Sequence, residues 1–532
     1  MYENAQGAQT VAAGPDTSSE YTSDYQAGQN NIQVMGMDIH NPVFSTSAFA
    51  ILAFVILTLI FPTEAKEMLV GARTWSIETF DWLFMIGGNL FVLFCIALIF
   101  LPVGKIRLGG KTAKPDFSRM SWFSMLFAAG MGIGLMFWSV AEPVAYYTDW
   151  WGTPLNAAAN TPEGASAAMG ATMFHWGLHP WAIYGVVALA LAFFTYNKGL
   201  PLTIRSAFYP LLGERVWGPM GHVIDIVAVL ATIFGLATSL GLGASQAAGG
   251  LNFLFGIDNN ISTQVGIIIA VSAIAIFSVI RGLDGGVKVL SNINMCIAAV
   301  LLLFVVVAGS VTAFFGNFVG TLSSYASDII PLSNWIGRDD EKFYTGWTVF
   351  YWAWWVSWSP FVGMFIARIS KGRTVREFMT AVLLIPTLVS GIWMAAFGGS
   401  ALDQIQGGVG ELTKGVGDVS LAMFHMLENL PLTELTSILA IVLVLVFFIT
   451  SSDSGSLVID SITAGGKVDA PVPQRIFWAV LQGVVAGVLL YGGGSEALTA
   501  LQAGAITTGL PFTVVLIFMC LSLYKGLKSE VQ

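Results

Sequence analysis

Charge is scarce in this chain. Of 532 residues only 10% are Asp, Glu, Lys or Arg, against 55% hydrophobic, and the mean hydropathy is +0.74. That balance excludes a soluble globular domain and a disordered chain alike, and identifies an all-α polytopic membrane protein. Cysteine is almost missing: Cys95, Cys296 and Cys520 sit in separate apolar runs, which argues against a disulfide framework or a metal cluster. Basic residues are absent before Lys66, so the first 43 residues lack the charged start of a signal peptide and read as an acidic, mobile tail. No polar catalytic cluster lies in or beside the apolar runs, which sets an enzyme aside.

Apolar runs long enough to cross a bilayer fall near 44–62, 82–102, 121–146, 174–195, 222–250, 264–280, 293–316, 345–367, 378–399, 433–452, 475–491 and 504–524. Twelve transmembrane helices are expected. The basic residues test that count. With both termini cytoplasmic, 18 of the 23 Lys and Arg face inward, among them Lys105, Arg107, Lys371, Arg373 and Arg376. Five remain outside, a strong positive-inside bias. The chain divides accordingly: a tail over 1–43, two N-terminal helices with a basic inner loop over 44–120, five spans over 121–316, an outer amphipathic connection over 317–344, five more spans over 345–524, and a short cytoplasmic tail over 525–532.

Tryptophan, by contrast, is concentrated. YWAWWVSWSP, residues 351–360, carries four tryptophans, and on a helix Trp354, Trp355 and Trp358 share an arc of about 100°, extended by Phe361. Two readings are open. One is a membrane-surface aromatic belt. The other is a cage for a cation without hydrogen-bond donors, which indole faces attract by about 0.5–2 kcal/mol each. Two backbone-breaking sequences favour the cage. The third span holds Gly130, Gly132 and Gly134; the eighth holds Ser357-Trp358-Ser359-Pro360, and an interior proline removes a helix hydrogen bond. These spans lie five apart and so run in opposite directions, the pattern of an inverted-repeat transporter whose site lies between paired interruptions. Spans 3–7 and 8–12 are then the repeats.

The segments AAGMGIG (128–134), FHWGLHPWAIY (174–184), WTVFYWAWWVSWSPFVGMFIARIS (347–370) and FFITSSDS (447–454) resemble the betaine/choline/carnitine transporter family, over about residues 40–525. The glycine motif is similar to that of its sodium-coupled betaine carriers. The resemblance implies a LeuT-like fold of inverted five-helix repeats plus two N-terminal helices, a homotrimer in the cell inner membrane, and symport of a quaternary ammonium or sulfonium zwitterion. Glycine betaine and dimethylsulfoniopropionate both fit. Choline fits less well for want of an acidic residue among the cage segments, and carnitine stays open. A sodium-independent exchanger of related onium compounds is the alternative, disfavoured because span 5 has no Lys or Arg.

The same resemblance places an aromatic cage on Trp176, Trp181 and Tyr184 of the fourth span and Trp354, Trp355 and Trp358 of the eighth. Trp352 is the doubtful member. The substrate carboxylate falls to backbone groups of Gly130, Met131 and Gly132. A sodium site falls on the carbonyls of Ala128, Met131 and Phe447 with the Thr450 and Ser451 hydroxyls, although those hydroxyls can equally bond back to their own helix. A second site would use Thr232 and Phe361, but Leu236 stands where a hydroxyl is required and Ser239 is an imperfect substitute. No cofactor is expected beyond sodium as coupling ion, and no nucleic acid.

Some polar residues are expected to stand outside the site. Glu142 closes the third span where water can hydrate it. Asp453 fixes local backbone or a gate. His175 and His179, spaced i, i+4, could hold a metal but lack a third ligand nearby. The residues after the last span, KGLKSEVQ, are few, which predicts little activation by osmotic upshift.

Overall fold

The computed structural model describes residues 23–130, 132–281 and 287–531. It is almost wholly helical. In chain order the long helices are α1 (Asn41–Ile60), α2 (Pro62–Phe100), α3 (Arg119–Gly130), α4 (Ile133–Tyr147), α5 (Pro162–Trp176), α6 (Leu178–Tyr196), α7 (Pro219–Phe255) and α8 (Ile261–Arg281). There follow α9 (Val287–Gly309), α10 (Val311–Ser333), α11 (Phe350–Ile369), α12 (Val375–Gln406), α13 (Thr433–Thr463), α14 (Val472–Gly493) and α15 (Ala497–Ser529). Their starts are written in the sequence. Prolines open α2, α5, α7 and the first turn of α1, where a missing N–H leaves no bond unmade. Thr161, Ser310 and Thr374 cap α5, α10 and α12 by accepting from Gly164, Ala313 and Glu377 N–H groups.

The helices interlock as two five-segment halves. Helix α7 packs on α13, α14 and α15; its counterpart α13 packs on α7, α8 and α9. The contact of α11 with α6 is matched by that of α12 with α3 and α4, while α8 and α14 pack on one another. Exchanging α3/α4 with α11, α5/α6 with α12, and α7, α8 and α9 with α13, α14 and α15 therefore carries these contacts into one another. The expected outer connection is mostly α10, which lies against α5 and α12.

Among the described residues nine stretches are helical, long and apolar enough to cross a membrane, not twelve. The last, Val472–Ser529, holds two helices, α14 and α15. The expected third and eighth spans fall outside the nine. The third is cut into α3 and α4, of 12 and 15 residues, and the eighth dilutes its apolar residues with indole, phenol and hydroxyl groups.

Two expectations are corrected. The glycine break is present: α3 ends at Gly130, Gly132 is extended (φ −171°, ψ −179°) and α4 begins at Ile133. The proline break is not. Helix α11 runs unbroken from Phe350 to Ile369 with Pro360 inside it. Pro360 cannot bond the carbonyl of Val356, four residues back, but the Ser359 hydroxyl donates to that same oxygen at 2.7 Å. The irregularity lies earlier, in a wide helical turn over Tyr344–Val349.

The second correction is the tail. Its first 22 residues lie outside the described ones, but the remainder is anchored instead of mobile. Strands β1 (Ile32–Val34) and β2 (Met37–Ile39) form an antiparallel hairpin. Tyr25 stacks on Trp217 with centroids 4.2 Å apart, Asn31 donates to the Ala464 carbonyl at 2.8 Å, and Asp38 pairs with Lys467. Composition alone suggested solvation; these long-range partners override it.

Candidate functional site

One cavity lies where the two halves meet. It is lined by Ala129, Gly132, Gly134 and Leu135 at the glycine break, by Trp176, Pro180, Trp181 and Tyr184, by Trp354, Trp355, Trp358 and Val362 of α11, and by Ser390 of α12. All six aromatic residues expected in the cage are brought together here. The fourth span manages this because it too is two helices. Gly177 (φ −96°, ψ −128°) ends α5 just after Trp176, and α6 carries Trp181 and Tyr184 at a different angle. An ideal single helix would spread these three rings too widely.

Trp355 sits at the centre. Trp354 stacks on it (4.7 Å, 14°), Trp176 meets it edge to face (4.8 Å, 70°), and Tyr184 approaches it similarly (6.3 Å, 78°). Trp181 in turn abuts Tyr184 (5.2 Å, 81°). The indole N–H groups of these α11 tryptophans are tied off to protein acceptors: Trp355 to the His175 carbonyl (2.9 Å), Trp358 to the Gly235 carbonyl (2.9 Å), and Trp354 to the Ser239 hydroxyl (3.2 Å). These three indoles have ring surface left for the cavity, which suits a methylated cation. Trp352 is not part of it. Its ring stacks on His179 (4.9 Å, 11°) and packs over Gly88, a packing role.

Gly134 lets these walls close. A Cβ there would lie 2.8 Å from the Trp176 ring and 3.0 Å from the Trp354 ring, so only glycine permits the approach. Gly134→Ala is therefore expected to weaken substrate binding about tenfold by displacing both indoles. Competition binding on the purified variant checks this; unchanged affinity would show that the rings yield freely.

The break also supplies donors. The first N–H groups of α4 have no partner within the helix, and the cavity is lined by Gly132, Gly134 and Leu135 at that end. The N-terminus of a 15-residue helix favours an anion. Met131 lies outside the described residues, and Gly130 is the last residue of α3.

The ion-site residues are less assembled. Thr450 turns its hydroxyl onto its own helix, at 3.0 Å from the Val446 carbonyl and 3.2 Å from that of Phe447. Ser451 is buried beside it, and Ala128 lies on α3 two residues before that helix ends. At the second site Thr232 donates to the Ala228 carbonyl (2.7 Å), and Leu236 packs against Gly455 of α13, where a Cβ would lie 2.4 Å from it. Ser239 already serves Trp354, and Phe361 packs edge-on to Trp358 (5.4 Å).

The largest departure is Glu142. The sequence suggested a hydrated carboxylate, yet its exposure is 0%. Oε1 takes the His175 Nδ1–H (2.7 Å) and the Tyr146 hydroxyl (2.9 Å); Oε2 takes the Trp176 indole N–H (2.7 Å) and the Tyr351 hydroxyl (2.6 Å). An acidic residue thus stands directly behind the cage. His175 bonds Glu142 and Thr348 through its two nitrogens, while His179 bonds Asn89 through Nε2 and stacks on Trp352; no metal-binding cluster of His, Cys, Asp or Glu occurs among the described residues. Asp453 bonds Ser278 of α8 at 2.9 Å, a helix-to-helix tie.

Comparison with known proteins adds to this geometry. Residues 42–532 match the model of the betaine/carnitine/choline family of transporters. The chain is 63% identical over 524 residues to glycine betaine transporter 1 of Vibrio parahaemolyticus, covering 98% of this chain and 100% of that one. It is 62% identical over 513 residues to a glycine betaine/proline/choline/ectoine transporter of the same organism (96% and 91% covered). A glycine betaine transporter of Bacillus subtilis is 44% identical over 481 residues (90% and 92% covered).

Proposed function

The chain belongs to the betaine/carnitine/choline family of transporters, and on that premise we propose that it imports glycine betaine or a similar onium zwitterion by alternating access, driven by sodium. The family is one of membrane transporters and not of enzymes. The observation that carries the reading is the cavity walled by Trp354, Trp355 and Trp358, whose N–H groups are bonded to protein acceptors, and bordered at one end by the start of α4. The methylated head lies against Trp176, Trp354, Trp355 and Trp358, losing water without leaving a donor unmet. The carboxylate lies at the helix start, where backbone N–H groups and the helix dipole replace its hydration. Dimethylsulfoniopropionate offers the same head and belongs in the same site.

Sodium has oxygen ligands to hand in Ala128, Phe447, Thr450 and Ser451, with Thr450 rotating off its own helix to receive it. One sodium is supported better than two, because Leu236 fills the second site with hydrocarbon. We place the protein in the inner membrane with both termini cytoplasmic, on the distribution of Lys and Arg, and take it as a homotrimer. Exchange of related onium compounds without sodium is the competing reading. Uptake of labelled glycine betaine into proteoliposomes separates them. Replacing external sodium by potassium should lower the initial rate at least about fivefold; an equal rate would overturn symport in favour of exchange.

A further inference from the structure

We infer that Glu142 is an electrostatic positioning residue of the cage: its buried carboxylate charges the Trp176 indole from behind and thereby sets how strongly the site prefers a cation. This rests on the onium-cage reading above. Both carboxylate oxygens are saturated, each accepting two bonds of 2.6–2.9 Å. A carboxylate has about four acceptor positions, so none is left to face a ligand. Its influence must pass through its partners.

The protonation of the network follows from its donors. The Trp176 Nε1–H can only donate. Thr348 has His175 Nε2 as its hydroxyl's partner at 2.9 Å, and a buried hydroxyl must place its proton somewhere. Assigning that proton to Nε2 makes His175 a neutral ring with its hydrogen on Nδ1, directed at Glu142. Glu142 is then an anion held by neutral donors, with no Lys or Arg paired to it among the described residues. A full negative charge in a low-dielectric site bears on the polarisable rings bonded to it. Of these rings Trp176 is the one that lines the cavity, joined to the carboxylate by a charge-assisted bond of 2.7 Å.

The same carboxylate also sets the walls. Tyr351, fixed by Oε2, lies face to face with Trp355 at 5.6 Å, and the His175 carbonyl holds the Trp355 N–H. Geometry and charge must therefore be separated in the test. The neutral carbon isostere of glycine betaine, 3,3-dimethylbutanoate, has the same shape and carboxylate but no cation. Its affinity reads the walls; the ratio of the two affinities reads the charge.

The experiment is competition binding of both compounds to purified wild type and to Glu142→Gln. Wild type should bind betaine at least about tenfold more tightly than the isostere, and Glu142→Gln should cut that ratio about tenfold. Equal weakening of both ligands, or no change, would overturn the inference while leaving the cage intact. A wild type without preference for the cation would overturn the cage reading, and the inference with it. Should Glu142→Gln fail to fold, Trp176→Phe and Trp355→Phe replace it. Both shrink one cage ring, but only Trp176 is tied to the carboxylate, so Trp176→Phe should lower the ratio several-fold more; equal losses would overturn the inference.

Discussion

Replacing Trp355 by alanine should reduce glycine betaine uptake to about 1% of wild type or less. The indole does three things at once. It offers its own face to the cavity, stacks on Trp354 at 4.7 Å, and supports the edge of Trp176 at 4.8 Å. Deleting a buried ring of this size also leaves a void that neighbours fill only in part, at about 3–5 kcal/mol. The vacated space would admit Trp354 and Trp176, so the remaining faces would no longer converge on one point. Trp355→Phe keeps a ring, and should retain a measurable fraction of uptake. The measurement is initial uptake in proteoliposomes matched for inserted protein, with a gel-filtration profile to show that the variant is folded. Uptake within twofold of wild type would remove Trp355 from the site and leave Trp358, which also lines the cavity, as the anchor.

The second large effect concerns Arg205, far from the cage. Its guanidinium is fully buried, with Nε 3.2 Å from Asp225 Oδ2 as an ion pair, while its backbone N–H bonds Asp225 Oδ1 at 2.9 Å. The other nitrogens reach His40 (3.1 Å) and the Tyr25 hydroxyl (3.2 Å), and the plane lies 5.5 Å from the Trp217 ring. Burial, with the Arg205 charge beside it, pushes His40 down to about 3, so His40 is the neutral acceptor this arrangement needs. Arg205→Ala strands the Asp225 carboxylate without a counter-charge, which destabilises by about 3–5 kcal/mol. The expected result is a large loss of folded protein in the membrane and a lower thermal midpoint in detergent. Arg205→Ala with Asp225→Asn should recover much of it, since neither charge is then left alone. A single variant with wild-type abundance and midpoint would show that the pair is dispensable.

The sequence made parts of this molecule legible and hid others for identifiable reasons. The glycine break was visible because three glycines in five residues weaken any helix, and the cage because tryptophans at helical spacing must share a face. Glu142 was misread because its four donors come from Tyr146, His175, Trp176 and Tyr351, on three separate helices. Beside Pro143 and near the end of an apolar run, a carboxylate alone looks hydrated. The anchored tail was missed for the same reason: Tyr25 and Asp38 find their partners at Trp217 and Lys467, hundreds of residues away. Local composition reports what a segment does alone, not what another element brings to it. Pro360 is a different error. The remedy, Ser359, was its immediate neighbour, and a hydroxyl beside a helix proline can be read as a replacement donor.

That hydroxyl has a consequence for the symmetry of the two halves. By restoring the bond that Pro360 denies to Val356, Ser359 removes the joint that would have mirrored the one at Gly132. The plan of the fold is repeated, but its articulation is not. Trp354, Trp355 and Trp358 share one continuous helix, whereas the matching segment of the other half is divided at Gly132. The backbone bonding of the two halves therefore differs at this one place, where a side-chain oxygen stands in for a main-chain donor.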